Sequence, residues 1–438
     1  MHIVIIGNGI SGISAALHLR KLSDHSITVI SAESDHFFTR TELMYVYMGR
    51  KRFKEIKPYP DRVWKEQRIE LLNGLVIQAD LKRKSLTLND DSTVSFDKLI
   101  LATGSKPVRT NWPGQDFDGV HSLYSLQDME AMERHSQNLG RAVIAGGGLI
   151  GIEMAEMFRS RRIPVTFLVR EESYYNTILP AEESAMVNRL ILEQEIDLRL
   201  NTELKEIWGD RRSGKVKMAI TSKGEKIECG FVGLTAGVRP HIDFLHFTPL
   251  EFDRGILVDD FLETNIPGVY AIGGCAQLRN PKPGWKTVES MWHTGQKMGE
   301  SVAKTISGNA TPYEPGIWFN SAKFFGVDYH VIGEVRPGQT SLYWEHPKGR
   351  KSIRITCDPA QGHALGFNLM GIRCNQDACE KWIREKTSLE NVLPNLQSAG
   401  LQPDLSKHYQ PALIQQYNAL AGKNLAVPSR GGLFSFFK

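Results

Sequence analysis

The stretch His2-Ile3-Val4-Ile5-Ile6-Gly7-Asn8-Gly9-Ile10-Ser11-Gly12 decides the fold. Its short apolar run predicts a buried strand, and the strand runs directly into G-x-G-x-x-G. Ile13-Ser14-Ala15-Ala16-Leu17 then reads as a helix and Ile27-Thr28-Val29-Ile30 as a second strand. The first glycine permits a tight turn, the second lets a pyrophosphate approach the backbone, and the third lets helix and strand pack closely. The helix N-terminus then faces the phosphates. In this order the pieces form a βαβ unit that binds a dinucleotide. An acid about 20 residues after the last glycine takes the ribose hydroxyls in such units. Glu33 stands there, with a solvated loop acid as the plain alternative.

The pattern recurs. Arg141-Ala142-Val143-Ile144-Ala145 reads as a strand, Gly146-Gly147-Gly148-Leu149-Ile150-Gly151 is a second fingerprint, and Ile152-Glu153-Met154-Ala155-Glu156 opens a helix. Val165-Thr166-Phe167-Leu168-Val169 is the following strand. Two such units in one chain imply two dinucleotides placed to exchange electrons. Two strand-to-turn segments of similar form flank the second unit: Phe96–Pro107, containing Ala102-Thr103-Gly104, and Val232–Pro240, containing Gly237. Thirty residues on comes Val269-Tyr270-Ala271-Ile272-Gly273-Gly274-Cys275-Ala276-Gln277, an apolar strand, a glycine pair and small residues that suggest the start of a helix.

Composition sets bounds. A chain of 438 residues allows roughly two to four domains at about 100–200 residues each. A net charge of +4 is small for this length and argues against a nucleic-acid binder, which carries a concentrated basic footprint. Local clusters, Lys51-Arg52-Phe53-Lys54 and Arg161-Arg162 among them, read as solvated surface or as docking points for an acidic partner. Five cysteines, sparse and odd in number, fit a reducing compartment. With no recognisable signal peptide and no apolar run of about 18 residues, the expectation is a cytoplasmic protein without a transmembrane segment.

These motifs, in this order, resemble the FAD-dependent pyridine nucleotide-disulfide oxidoreductases over residues 1–315. The resemblance is strongest to the branch holding rubredoxin reductases, oxygenase-coupled ferredoxin reductases and nitrite-reductase flavin domains. It implies an α/β fold of two Rossmann-like three-layer dinucleotide-binding domains plus a C-terminal α+β interface domain. The FAD domain would be split between 1–110 and 240–315, with an NAD(P)H domain at 111–239 and the interface domain at 316–438. The implied FAD contacts are Gly7, Gly9, Gly12, Glu33, Arg40, Ala102, Thr103, Gly104, Gly273, Gly274, Glu289 and Trp292, with Gly237 in the second connecting turn. The implied NAD(P)H contacts are Gly146, Gly148, Ile150, Gly151, Glu153, Arg170 and Glu171.

The chain departs from the family's pattern in four places. Phe37–Tyr45 holds no cysteine where disulfide reductases carry theirs; Thr41 stands near that position. Without a thiolate, disulfide exchange by the usual route is excluded. Cys374-Asn375-Gln376-Asp377-Ala378-Cys379 has a suggestive spacing, but on a helix the two thiols would point apart, and no C-x2-C indicates an iron–sulfur or zinc site. After the second strand, Arg170 suits a 2′-phosphate and Glu171 a ribose hydroxyl, which leans the preference slightly to NADPH. Glu289-Ser290-Met291-Trp292-His293 and Trp318 match the family's flavin surroundings only loosely. Gly274 replaces an aspartate that accepts from the ribityl chain. The unmatched group costs about 1–3 kcal/mol, one to two decades of affinity, so Gly274→Asp is expected to tighten FAD.

The resemblance implies hydride transfer from NAD(P)H to FAD and onward transfer to an acceptor, with no side chain assigned as acid, base or nucleophile. The favoured acceptor is a small iron–sulfur or rubredoxin-like protein. Alternatives are a quinone or oxygen, or a flavin-binding sensor that is not an enzyme. A homodimer is compatible with the interface domain. The apolar tail Gly431–Lys438 suits a groove on the protein or a partner better than a membrane surface.

Overall fold

The computed structural model describes residues 1–282, 284–401 and 406–427, so the apolar tail lies outside the described residues. The chain divides into two compact units: Met1–Leu168 with Thr202–Pro315, and Val169–Asn201 with the chain from Gly316 onward.

The first unit opens with β1 (His2–Ile6), α1 (Ile10–Leu22), β2 (Ser26–Ser31), β3 (Ile69–Asn73) and β4 (Lys98–Leu101). Then come β5 (Ser105–Pro107), β6 (Val120–His121), α2 (Leu126–His135), β7 (Ala142–Ala145), α3 (Leu149–Ser160) and β8 (Val165–Leu168). It ends with β9 (Phe231–Leu234), β10 (Val238–Pro240), β11 (Ile256–Val258), β12 (Val269–Ala271), β13 (Ala276–Leu278) and α4 (Trp292–Ile306). Its first sheet is parallel throughout, in the order β12-β4-β1-β2-β3. Strands covered on both faces read as continuous apolar runs, and β7, β8 and β12 are buried at every residue. In the second sheet four strands of this unit stand parallel as β8-β7-β9-β6.

Each sheet has its own apolar core. One cluster draws on Ile3–Ala102 and Ile242–Tyr313, the other on Val120–Leu234. Small residues bring α4 onto α1: a Cβ at Gly295 would lie 2.4 Å from Ser11 Oγ, and one at Gly299 would lie 2.7 Å from Ser11 O. The two crossings between the sheets run side by side. β5 and β10 pair antiparallel, with Val238 opposite Pro107, and Val108 N–H donates to Gly237 O at 3.0 Å.

The segment after Gly274 differs from expectation. Gly273–Cys275 forms a single 3-10 turn, and Ala276–Leu278 continues as a strand, not a helix. It pairs with β11, and Gln277 Oε1 accepts from the N–H groups of Arg254 and Gly255 at 2.8 and 2.9 Å. Backbone partners on both sides outweigh the helix propensity of Ala and Gln. The helix of this region starts only at Trp292.

The second unit has a five-stranded antiparallel sheet, in the order 319–324, 327–333, 364–370, 352–357, 341–345. Its core includes Leu396, Tyr409 and Leu413. The helix Ala181–Glu193 belongs here too, tied down by Arg354, whose Nε donates to Glu183 Oε1 at 2.8 Å and Nη2 to Glu182 Oε2 at 2.6 Å. Asn375 caps the helix Gln376–Arg384. Cys374 therefore precedes the helix instead of lying on it, and both Cys374 and Cys379 are free thiols. Among the described residues no helix is long and apolar enough to cross a membrane.

Candidate dinucleotide sites

The two fingerprints are built alike. Gly7 adopts φ +114° and a Cβ there would lie 2.2 Å from Ala102 O, while a Cβ on Gly12 would lie 1.9 Å from Gly7 O. Gly146 adopts φ +128° with Thr235 O at 2.5 Å, and a Cβ on Gly151 would lie 2.2 Å from Gly146 O. Only glycine fits these four positions. The middle glycines are different. No protein atom lies within 4 Å of a Cβ at Gly9 or Gly148, so the open side of each loop has room for a ligand.

That room faces helix starts prepared for an anion. Gly9 is the N-cap of α1 and Gly148 that of α3; neither helix has a side-chain cap or an acidic residue in its first turn. By contrast Ser125 caps α2 and Asp128 completes a capping box. Uncapped N–H groups with a positive dipole end suit a phosphate. Thr103 and Thr235 seal the sheet ends beside the loops: Thr103 Oγ1 donates to His241 O at 2.7 Å, and Thr235 Oγ1 to Ala145 O at 3.0 Å. Gly104, at φ +66°, and Gly237, at φ +101°, turn the chain into and out of the paired crossings.

Glu33 and Arg40 are one element of structure. Arg40 clasps the Glu33 carboxylate with both terminal nitrogens, and Nη1 also donates to Tyr124 O at 2.7 Å. Its guanidinium carbon lies 4.8 Å from the Tyr124 ring centroid, and Leu126 N–H donates to Glu33 Oε1 at 2.9 Å. Arg40 thus fixes the acid that follows β2 and ties it to the start of α2. The sequence carried no sign of this pairing, because Tyr124 and Leu126 come from far along the chain.

Gly273 and Gly274 are buried in the first sheet's end. A Cβ on Gly273 would lie 2.3 Å from Ser11 Oγ; one on Gly274 would lie 2.6 Å from Ser105 Oγ and 3.1 Å from Ser290 Oγ. Two hydroxyls therefore occupy the space a larger residue 274 would need. This alters the expectation for Gly274→Asp. Alone it overpacks the site, at a cost of about 1–3 kcal/mol, and holds FAD no tighter. Tightening, by about tenfold, is expected only when Ser105→Ala is added. Fluorescence titration of FAD into the apoprotein of both variants measures this.

Glu289 is buried, which raises its pKa, and Lys286 N–H donates to it at 3.3 Å. Trp292 packs on Phe37 with ring centroids 5.9 Å apart and lines a 410 Å³ cavity with Ile10, Ser14 and Tyr59. Ile150 lies in the first turn of α3. Glu153 follows on the same helix; burial first, and the neighbouring Glu156 second, push its carboxyl up to about 7. An unfolded carboxyl titrates near 4.5, so the native chain keeps a proton that the unfolded chain releases. The resulting stability is complete below pH 4.5 and is lost as pH rises through about 7. Glu153→Gln is expected to remove this slope, on the order of 1–3 kcal/mol, in urea midpoints compared at pH 5 and pH 8.

Arg170 and Glu171 fall in the second unit, where they pair with each other at 2.8 Å. The two cysteines of the first unit, Cys229 and Cys275, are buried. Burial holds both thiols protonated, Cys229 up to about 12. No thiolate relay accompanies the nucleotide loops among the described residues.

Residues 1–299 match the pyridine nucleotide-disulphide oxidoreductase family. The chain belongs to this family. A member is an FAD-dependent NAD(P)H oxidoreductase. The chain is similar to rubredoxin-NAD(+) reductase of Pseudomonas putida, 28% identical over 315 residues, 71% of this chain and 81% of that protein. It is also 27% identical over 393 residues to the ferredoxin–NAD(+) reductase component of the p-cumate 2,3-dioxygenase system of Pseudomonas putida, covering 89% and 94% of the two chains. Of the nitrite reductase [NAD(P)H] of Bacillus subtilis it spans 41%, at 28% identity over 336 residues, 76% of this chain. In fold this oxidoreductase resembles an NAD-dependent persulfide reductase from A. fulgidus, with TM-score 0.84, 20% identity and coverage of 96% and 84%. It resembles putidaredoxin reductase in its covalent putidaredoxin complex likewise, with TM-score 0.79, 19% identity and coverage of 96% and 99%.

Proposed function

We propose that the protein carries electrons from NAD(P)H through FAD to a small iron–sulfur or rubredoxin-like protein. The observation that carries this reading is the pair of uncapped helix starts, each fronted by a glycine with open space before it. Residues 1–110 and 240–315 form the FAD domain, 111–239 the NAD(P)H domain and 316–438 the interface domain in this reading. The separate apolar cores of the two sheets support the split.

The Gly7–Gly12 loop and the α1 N–H groups hold the FAD pyrophosphate. Glu33, locked by Arg40, takes ribose hydroxyls, and Ala102–Gly104 with Gly273 and Gly274 form the wall against which the cofactor lies. Glu289 and Trp292 close that region from the start of α4. Gly146, Gly148, Ile150 and Gly151 hold the NAD(P)H phosphates, and Glu153, its carboxyl pushed up to about 7, lies on the same helix. When bound, FAD supplies two-electron acceptance from a nicotinamide and single-electron release to an acceptor. The lack of a reactive thiol beside it favours direct delivery.

Anaerobic addition of NADH or NADPH to the purified yellow protein is expected to bleach the flavin, and a reduced rubredoxin or [2Fe–2S] ferredoxin is expected to follow. Bleaching with turnover only on quinone or oxygen would overturn the acceptor assignment; a flavin that neither nucleotide reduces would overturn the enzymatic reading.

A further inference from the structure

Three side chains unconnected with the nucleotide loops converge in the first unit. Asp118 precedes β6, His121 ends β6 and His135 ends α2. One ligand atom from each lies within 4.8 Å of the others. His135 Nε2 is already 3.1 Å from Asp118 Oδ1. The His121 and His135 ring centroids are 4.8 Å apart, and Phe231 packs against both rings.

His121 Nε2 is buried and has no hydrogen-bond partner. A buried imidazole nitrogen without a partner costs about 1–3 kcal/mol, so its position beside a second imidazole and a carboxylate calls for an explanation that ring packing alone does not provide. The frame around the three residues is fixed. Asp118 N–H donates to Gly214 O and Asp118 O accepts from Val216 N–H, both at 2.9 Å. His121 pairs with Gly233 in the sheet.

We propose that Asp118, His121 and His135 bind a divalent transition metal, zinc or a close relative. Two imidazoles and one carboxylate, without a thiolate, suit zinc, nickel or copper better than calcium or magnesium. Bonds of about 2.0–2.2 Å around a tetrahedral ion put ligand atoms roughly 3.4 Å apart. The His135–Asp118 pair, at 3.1 Å, is close to that separation, and small side-chain rotations bring in the third ligand. A water completes the coordination. The ion clips the end of α2 to β6. Because the start of α2 carries the N–H that meets Glu33, the clip steadies the far end of a helix that serves the FAD cradle.

The test uses the full chain with its flavin, stripped of metal by a chelator, and zinc chloride as the probe. Calorimetry is expected to show one tight equivalent, and the melting temperature to rise by several degrees. Asp118→Asn, an exposed position that leaves packing intact, and His121→Ala should each weaken binding by at least tenfold. Flavin absorbance and metal-free melting confirm that the variants are folded. Absence of saturable binding to the parent chain, or parent-like affinity in both folded variants, would overturn the proposal.

Discussion

Replacing Gly148 with Asp is expected to abolish reduction by NAD(P)H while the protein stays folded and yellow. The position has φ −96°, which any residue adopts, and nothing within 4 Å of the new Cβ. Asp is a preferred N-cap, so α3 gains roughly a few tenths of a kcal/mol relative to glycine. The same carboxylate stands where a pyrophosphate must come. A unit charge about 4 Å from another costs about 4 kcal/mol at the effective dielectric of a protein surface, roughly three decades of affinity. Rapid-mixing reduction by NADH and NADPH measures the loss, while dithionite still bleaches the flavin. Fast reduction by either nucleotide in Gly148→Asp would show that this loop is not the electron entry site.

Gly9→Asp is the matching experiment at the first cradle. Its backbone, at φ −70°, also accepts a side chain, and the space beyond is open. The chain should fold, since no core contact changes, yet emerge colourless. FAD affinity should fall by about three decades for the same electrostatic reason. Gly7→Ala is a poor substitute: its Cβ would strike the Ala102 backbone, and loss of colour would then mean only loss of fold. Comparing the secondary-structure spectrum of Gly9→Asp with the parent separates the two causes.

Much of this architecture can be read from local sequence. Both βαβ units and their glycines are signalled within some thirty residues each, because the turn, the phosphate approach and the helix–strand packing are local demands. Less local features escape. The Glu33–Arg40 clasp needs Tyr124 and Leu126, and the serines that fill the space beside Gly274 come from Ser105 and Ser290. Ala276–Leu278 resembles a helix start until its partner β11 is known. Asp118, His121 and His135 have no motif spacing; a sheet edge and a helix end bring them together. Cys374 was misplaced because one cap residue, Asn375, decides on which side of a helix boundary it falls.

The crossing of α1 by α4 also sets an order of assembly. The first sheet lacks its edge strand β12, and α1 lacks its glycine-lined neighbour, until residues 269–306 have been made. The strands of the second sheet in this unit, by contrast, are complete at Leu234. On a ribosome the later-numbered nucleotide fold can therefore close first, while the amino-terminal one waits with an apolar face open. Segments that depend on distant partners fold slowly and expose themselves to aggregation. FAD capture is thus expected late in biosynthesis, and truncation between Leu234 and Ile306 leaves the amino-terminal nucleotide fold as the part that cannot finish folding.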